Sequence, residues 1–262
     1  MVNVNYEIKM GKLSGKVAVI TASTDGIGFA IAKKMASEGA KIVVSSRKEA
    51  NVESAVDNLK KQGYKDIIGT VCHVAKQADR ENLLKKAAEA FGRIDILVSN
   101  AAVNPVFGLT EDVSGEAFDK IFDINVKAPF MLTKEVLPYL RKNDGGSIVY
   151  VSSVAGIQPF SFLGCYSVSK TALLSLTKVF ASELATSNIR VNCVAPGLIK
   201  TNFSKPLYES EAAYEIALSQ IPLNRLGQPD DVSGIVAFLC SKEADYITGE
   251  TIVVGGGIPS RL

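Results

Sequence analysis

The sequence predicts a single-domain α/β protein built on a doubly wound parallel sheet of about seven strands, with helices on both faces. Short β-branched runs alternate with longer stretches of helical period along the chain, the pattern of strands joined by helical crossovers. The runs are near-continuously apolar, as strands covered on both faces must be; a one-sided antiparallel sheet would alternate apolar and polar residues. The 262 residues are many for one domain, yet a three-layer α/β domain absorbs them, and no repeat, low-complexity tract or linker rich in Gly, Ser or Pro interrupts the chain.

Taken in order, the strands are expected at KVAVIT (16–21), KIVVSS (41–46), IIGTVC (67–72), DILVSN (95–100), SIVYVSS (147–153), IRVNCVA (189–195) and TIVVGG (251–256). The domain is expected over residues 13–257, after an N-terminal extension (1–12) and before a tail (258–262). One irregular segment, about residues 197–228, follows the sixth strand. An insertion at the carboxyl end of a parallel sheet is where a substrate lid lies, and SKPLYESEAAYEIALSQIPL within it has the composition of a short helix able to close over a ligand.

Composition narrows the function classes. A formal net charge of +2 without blocks of like charge argues against a broad nucleic-acid footprint. Cys72, Cys165, Cys193 and Cys240 are scattered and His73 is the single histidine, so neither a metal site nor a disulfide framework is expected. No apolar run reaches the roughly 18 to 20 residues that span a bilayer. The start, MVNVNYEIKMGK, lacks the apolar stretch of a secretory signal, so a reducing compartment is expected.

TASTDGIG (21–28) joins the first strand to the helix-like FAIAKKMASEGA. Gly26 and Gly28 permit backbone approaches that a Cβ obstructs, and the helix aims its amides at a pyrophosphate. Ala22 stands where a first glycine would sit; the loop is expected to tolerate its methyl if φ there is negative. Dinucleotide folds of this Rossmann type place an acidic residue about 20 positions on to take hydrogen bonds from the ribose of NAD. Here the second strand ends in Ser45, Ser46 and Arg47. With no carboxylate, a 2′-phosphate meets no repulsion, Arg47 pairs with it and Ser46 donates a hydroxyl, so NADPH is expected over NADH. The competing reading leaves Arg47 and Lys48 as solvated residues at a helix start.

SSVAGIQPFSFLGCYSVSK (152–170) closes one strand and opens a long amphipathic helix. Tyr166 and Lys170, four apart, share a helix face. A phenol with a pKa of about 10 serves better as an acid or base near neutrality when an ammonium lowers it, the role expected of Lys170. Ser153, at the strand end, could bond the same substrate oxygen. Alone, the pair reads better as an exposed coincidence on a helix.

Together these pieces resemble the short-chain dehydrogenase/reductase superfamily from about Leu13 to the C-terminus: TASTDGIG, SNAA at 99–102, Asn125 within INV, Ser153, Tyr166-x-x-x-Lys170 and PGLIKT at 196–201. Ala22, Ser99 and Ala102 depart from its usual glycine, asparagine and glycine without removing a catalytic group. The resemblance implies hydride transfer from nicotinamide to a carbonyl carbon, with Tyr166 donating the proton, Ser153 steadying the oxygen and Asn125 ordering a proton-relay water. It implies an NADPH/NADP+ cleft along Thr21, Ser23, Thr24, Gly26, Ile27, Gly28, Ser46, Arg47, Lys48, His73, Val74, Asn100, Ala101, Tyr166, Lys170, Pro196 and Gly197. Ile199 and Thr201 would hold the carboxamide, and Lys170 the nicotinamide ribose. His73 stands where the family commonly has an Asp on the adenine amino group; it either accepts that bond or is a surface residue.

The departures, with VSSRK, TVCHV, SNAAVNP, DINVKAP and VVGGGIPSRL, narrow the resemblance to peroxisomal NADPH-dependent carbonyl and retinal reductases. This implies reduction of ketones, α-dicarbonyls and retinal by a homotetramer, its contacts on helices near 126–141 and 165–185. Asn104, Pro105, Phe160, Phe162, Leu163 and Cys165 are expected to face an apolar substrate. Ser260-Arg261-Leu262 resembles a peroxisomal address read by the import receptor, leaving part of the protein in the cytosol. Two other readings stay open: an NADP-dependent alcohol dehydrogenase acting on retinol or a hydroxysteroid, and a non-catalytic NADPH-sensing subunit, against which intact Ser153, Tyr166 and Lys170 argue.

Overall fold

In a computed structural model describing residues 11–259, each apolar run becomes a strand. The order is β1 (Val17–Ile20), α1 (Gly26–Ser37), β2 (Lys41–Ser46), α2 (Glu49–Lys61), β3 (Ile67–Val71), α3 (Gln77–Phe91) and β4 (Ile96–Ser99). Then follow α4 (Gly115–Phe122), α5 (Ala128–Lys142), β5 (Gly146–Val151), α6 (Gly164–Leu184), β6 (Ile189–Pro196), α7 (Glu211–Ser219), α8 (Pro229–Leu239) and β7 (Thr251–Val254). All strands pair in parallel, in the order β3-β2-β1-β4-β5-β6-β7. The expected doubly wound fold is observed. The expected extension lies outside the described residues up to position 10, as does the tripeptide Ser260-Arg261-Leu262.

Strand alternation sorts the core into two layers. Ala18, Ile20, Ile42, Val44, Ile96, Val98, Val149 and Val151 face α1, α2 and α8, against Ile31, Met35, Leu59, Val232 and Val236. Val19, Val43, Leu97, Ile148 and Tyr150 face α3, α5 and α6, against Leu83, Leu84, Leu132, Val136, Phe180 and Leu184. Each such side chain stabilises the fold by about 1.5–3 kcal/mol through burial, which locks strand register because a one-residue slip would exchange the layers.

The direction in which successive strands are added to the sheet reverses between β1 and β4. From β1 the sheet grows toward β2 and β3; from β4 it grows toward β5, β6 and β7. Their following loops diverge and leave a crevice at the carboxyl edge, the place where open α/β sheets bind ligands. Over one end of it lies the segment between β6 and α8. A bridge between Ile199 and Gly227 pins its base, through Lys200 N–H to Gly227 O (2.8 Å) and Gly227 N–H to Leu198 O (3.0 Å). Within it, α7 is the short helix expected, capped by the Ser210 hydroxyl, which accepts from Ala213 N–H at 3.2 Å. Among the described residues no helix is long and apolar enough to cross a membrane, and no group of three or more His, Cys, Asp or Glu is placed to hold a metal.

The loop after β1 corrects one expectation. Ala22 has φ 49°, left-handed backbone that an L-residue enters at a cost, not the negative φ expected. Its surroundings over-determine the conformation. Asn100 Nδ2 donates to the carbonyls of Thr21 (3.1 Å) and Ala22 (3.0 Å), and Ser23 N–H donates to Ser45 O (2.9 Å). Strain held this way persists because neighbouring bonds fix it. Ala22→Gly is therefore expected to raise stability in chemical denaturation by about 0.5–1 kcal/mol, relief of left-handed strain outweighing added unfolded-state entropy. A loss of stability would show that the exposed methyl packs favourably instead.

Candidate active site

Ser153, Tyr166 and Lys170 converge because α6 docks tightly on the turn after β5. Gly156 lies in that turn, and a Cβ there would sit 2.7 Å from the Lys170 carbonyl carbon. Thr171 Oγ1 donates to Gly156 O (2.8 Å), and Ser152 Oγ donates to Lys170 O (2.8 Å). So held, the Ser153 hydroxyl, 13 residues upstream, acts on the Tyr166 phenol and favours its ionised form. Nothing in the Tyr-x-x-x-Lys spacing marks Gly156; its signal is a lone glycine three residues after the strand-end serine.

Electrostatics in this corner differ from the expectation. Burial pushes the Tyr166 phenol up to about 12, opposed by the hydrogen bond with Ser153. Burial also brings the Lys170 ammonium down to about 8. Lys170 Nζ donates to Val151 O (2.8 Å) and sits 5.6 Å from the Tyr166 ring centroid. Removing both groups from water disfavours phenolate and ammonium alike, and this outweighs the lowering of the phenol anticipated from Lys170. The thiol of neighbouring Cys193 is itself pushed up to about 11 by burial, so it is neutral near pH 7 and burial governs Lys170. At rest the phenol therefore keeps its proton, as a donor requires.

Asn125 belongs to a π-helical turn, Asp123–Lys127, inserted between α4 and α5. Its Oδ1 accepts from Val103 N–H (2.8 Å), and its Nδ2 donates to Val103 O (2.9 Å) and Ser169 Oγ (3.0 Å). Ser169 Oγ in turn donates to Tyr166 O (2.6 Å). The Asn125 side chain is thus committed within the protein. It fastens the segment after β4 to α6 beside the Tyr-Lys pair.

At the other end of the crevice, Gly26, Ile27 and Gly28 line the cavity where α1 begins. A Cβ on Gly28 would meet the Ala22 carbonyl oxygen and come within 2.6 Å of Asn100 Nδ2. Only bare backbone fits this cradle. Thr21 and Ser23, expected along the cofactor, are fully buried and spend their hydroxyls internally. Thr21 Oγ1 accepts from the amides of Asn100 (2.9 Å) and Ala101 (3.1 Å). Ser23 Oγ donates to Ile20 O (2.7 Å) and accepts from Ser45 N–H (3.0 Å). They shape the loop; Thr24 is likewise absent from the cavity wall.

Ser46 ends β2, with Arg47 and Lys48 exposed beyond it and forming no ion pair among the described residues. Cys72 N–H donates to Ser46 O (2.9 Å), bringing His73 beside them. The His73 amide donates to Asp79 (2.8 Å), while its Nδ1 is buried without a partner. Val74 O accepts from Arg80 (2.8 Å), itself buried and paired with Glu135 (2.8 Å), which ties this turn to α3 and α5. Pro196, Gly197, Ile199 and Thr201 complete the wall after β6. A dinucleotide fits this set: a helix start with glycine at its first and third positions, cations at the end of β2, an orphaned ring nitrogen after β3 and a buried ammonium on α6.

Next to Tyr166 the cavity, about 760 Å³, is mostly apolar. Asn104, Phe160, Phe162 and Leu163 line it as expected positions. Asn104 Nδ2 is buried without a hydrogen-bond partner. Phe162 is 59% exposed, at φ 66°. Cys165 does not line the wall: it precedes Tyr166 on α6, and successive helical residues point about 100° apart, so its thiol turns into the protein. Phe107 and the lid residues Phe203, Leu207, Ile216 and Ile221 join the lining unannounced by any motif. The Phe203 ring lies 5.9 Å from that of Tyr166 at 42°.

A family model described as enoyl-(acyl carrier protein) reductase matches residues 21–259. The chain is 58% identical over 250 residues to Dehydrogenase/reductase SDR family member 4 of Oryctolagus cuniculus, covering 95% of this chain and 96% of that protein. It is 58% identical to the Homo sapiens protein of the same name, covering 95% and 90%. Against Dehydrogenase/reductase SDR family member 2, mitochondrial, of Homo sapiens it is 48% identical over 248 residues, covering 95% and 88%. With a parallel seven-stranded sheet and a match over nearly its whole length, the chain belongs to the short-chain dehydrogenase/reductase family of oxidoreductases, which generally use NAD(P)(H).

Proposed function

We propose that this chain is an NADPH-dependent carbonyl reductase acting on apolar ketones and α-dicarbonyls, with retinal among its substrates. The observation behind this reading is the buried Ser153–Tyr166–Lys170 corner, set between an apolar cavity and a glycine cradle at the start of α1. A nicotinamide dinucleotide bound along that cradle would supply the electrons and hydrogen for the carbonyl carbon.

The chain's own residues would do the rest. The substrate oxygen sits against Ser153 and Tyr166, and the phenol, neutral at rest, gives its proton as negative charge develops there. Ser153 donates a hydrogen bond to the same oxygen, worth more in a site closed to water. Lys170, close by, favours the phenolate left behind. Asn125 and Ser169 keep α6 in place, and the lid aromatics exclude water. Exposed Arg47 and Lys48, without a carboxylate at the end of β2, support preference for the 2′-phosphate. Ser260-Arg261-Leu262 supports import into peroxisomes.

Tyr166→Phe is expected to lower kcat for ketone reduction about 10²–10⁴-fold, with NADPH binding, followed by its fluorescence, nearly unchanged; full turnover would remove the phenol as acid. In the wild type, kcat/KM should fall as pH rises through about 8, where Lys170 loses its proton. A profile flat from pH 7 to 9 would contradict this. Arg47→Ala should raise KM for NADPH by about 10–100-fold, the value of one charge-assisted bond, and leave that for NADH nearly unchanged. If NADPH preference survives, another group reads the phosphate. A tagged chain lacking the last three residues should image as cytosolic, and continued import would place the address elsewhere.

A further inference from the structure

Three consecutive lid residues touch both ends of the site. The Thr201 methyl covers the first residue of α1, where a Cβ on Gly26 would lie 3.2 Å from it. Asn202 Nδ2 donates to Asp25 Oδ2 at 2.7 Å. Phe203 packs on the Tyr166 ring. Asp25 Oδ1 meanwhile accepts from Gly26 N–H at 2.7 Å, so one carboxylate holds the start of α1 and the lid together.

The turn between these contacts is stiff. Tyr208 Oη donates to Thr201 O (3.0 Å), Ser204 N–H donates to Thr201 Oγ1 (3.3 Å), and Ser204 Oγ donates to Ile199 O. A displacement of Asn202 therefore reaches Phe203. Beyond the turn, α7 has no buried residue, so apolar burial does little to seat that helix, although Ile199, Ile221 and Leu226 anchor the two ends of the segment. A polar tie at its base then carries weight out of proportion to one exposed hydrogen bond.

We infer that the Asp25–Asn202 bond is a strap that seats Phe203 over Tyr166 and couples the phosphate loop to the carbonyl pocket. Asn202 and Asp25 are positioning residues, acting through Phe203 and Gly26. The part concerning the carbonyl rests on the proposed function; the seating of the lid does not. Because the strap joins the two subsites, occupancy of one changes the affinity of the other reciprocally.

Amide hydrogen exchange and steady-state kinetics on the full chain test this. In Asn202→Ala, exchange over residues 203–220 should quicken about fivefold without nucleotide, and KM for a ketone should rise about 3–10-fold with kcat changed less than about twofold. Asp25→Ala, which also removes the cap on Gly26 N–H, should quicken lid exchange by the same factor, and the two together no more than either alone, since the lid loses the same Asp25–Asn202 bond in each. The double variant Asp25→Asn/Asn202→Asp exchanges donor and acceptor and should restore lid protection. Unchanged exchange in Asn202→Ala, additive effects, or no recovery in the exchanged pair would overturn the strap. Should the wild type reduce no carbonyl, the functional reading fails while the exchange measurements still decide the strap.

Discussion

The cleft depends on how β1 and β4 end side by side. One hydroxyl, Thr21 Oγ1, accepts from two successive amides after β4, and one amide side chain, Asn100, donates to two successive carbonyls after β1. These four bonds close the floor of the crevice where the order of strand addition reverses, and they are what makes left-handed backbone at Ala22 tenable. Loosening them would free the glycine cradle from β4 and the wall that continues toward Asn104. The polar residues at this junction are buried so that their own hydrogen bonds, not a ligand's, set the shape on which binding relies.

Burial then sets the chemistry. Tyr166 and Lys170 sit at the dry end of the same crevice, and desolvation moves their pKa values in opposite directions, phenol upward and ammonium downward. The resting pair is a protonated acid beside a cation that gives up its charge readily. Ser153 offsets part of the cost to the phenol, and the carbonyl of Val151 holds the ammonium. A proton donor at neutral pH needs its proton more than it needs a low pKa, and a buried phenol beside a serine meets that need.

Much of the site is written in spacing. A spacing of four positions from Tyr166 to Lys170 puts both on one helical face, and the strand–turn–helix context of TASTDGIG marks the cradle. The hydroxyls of Thr21 and Ser23 look like ligands in the same stretch, yet both are internal braces, because a side chain's direction from a tight turn depends on the strands beside it. In INV nothing shows that the π turn aims the Asn125 amide at Val103 and Ser169. Phe203 and Asn202 carry no motif at all; their roles arise from where the lid lands.

Apolar period and helical spacing are local properties of the chain, so the seven strands and the shared helical face of Tyr166 and Lys170 could be read before any fold, while Ser153 joined them through the family resemblance. The handedness of Ala22, the buried state of the Tyr-Lys pair, the turning away of Cys165 and the bond between Asp25 and Asn202, 177 residues apart, came with the folded chain alone. The physical reason is common to all four: each depends on which distant segments the crossovers press together, and on how much water that contact removes.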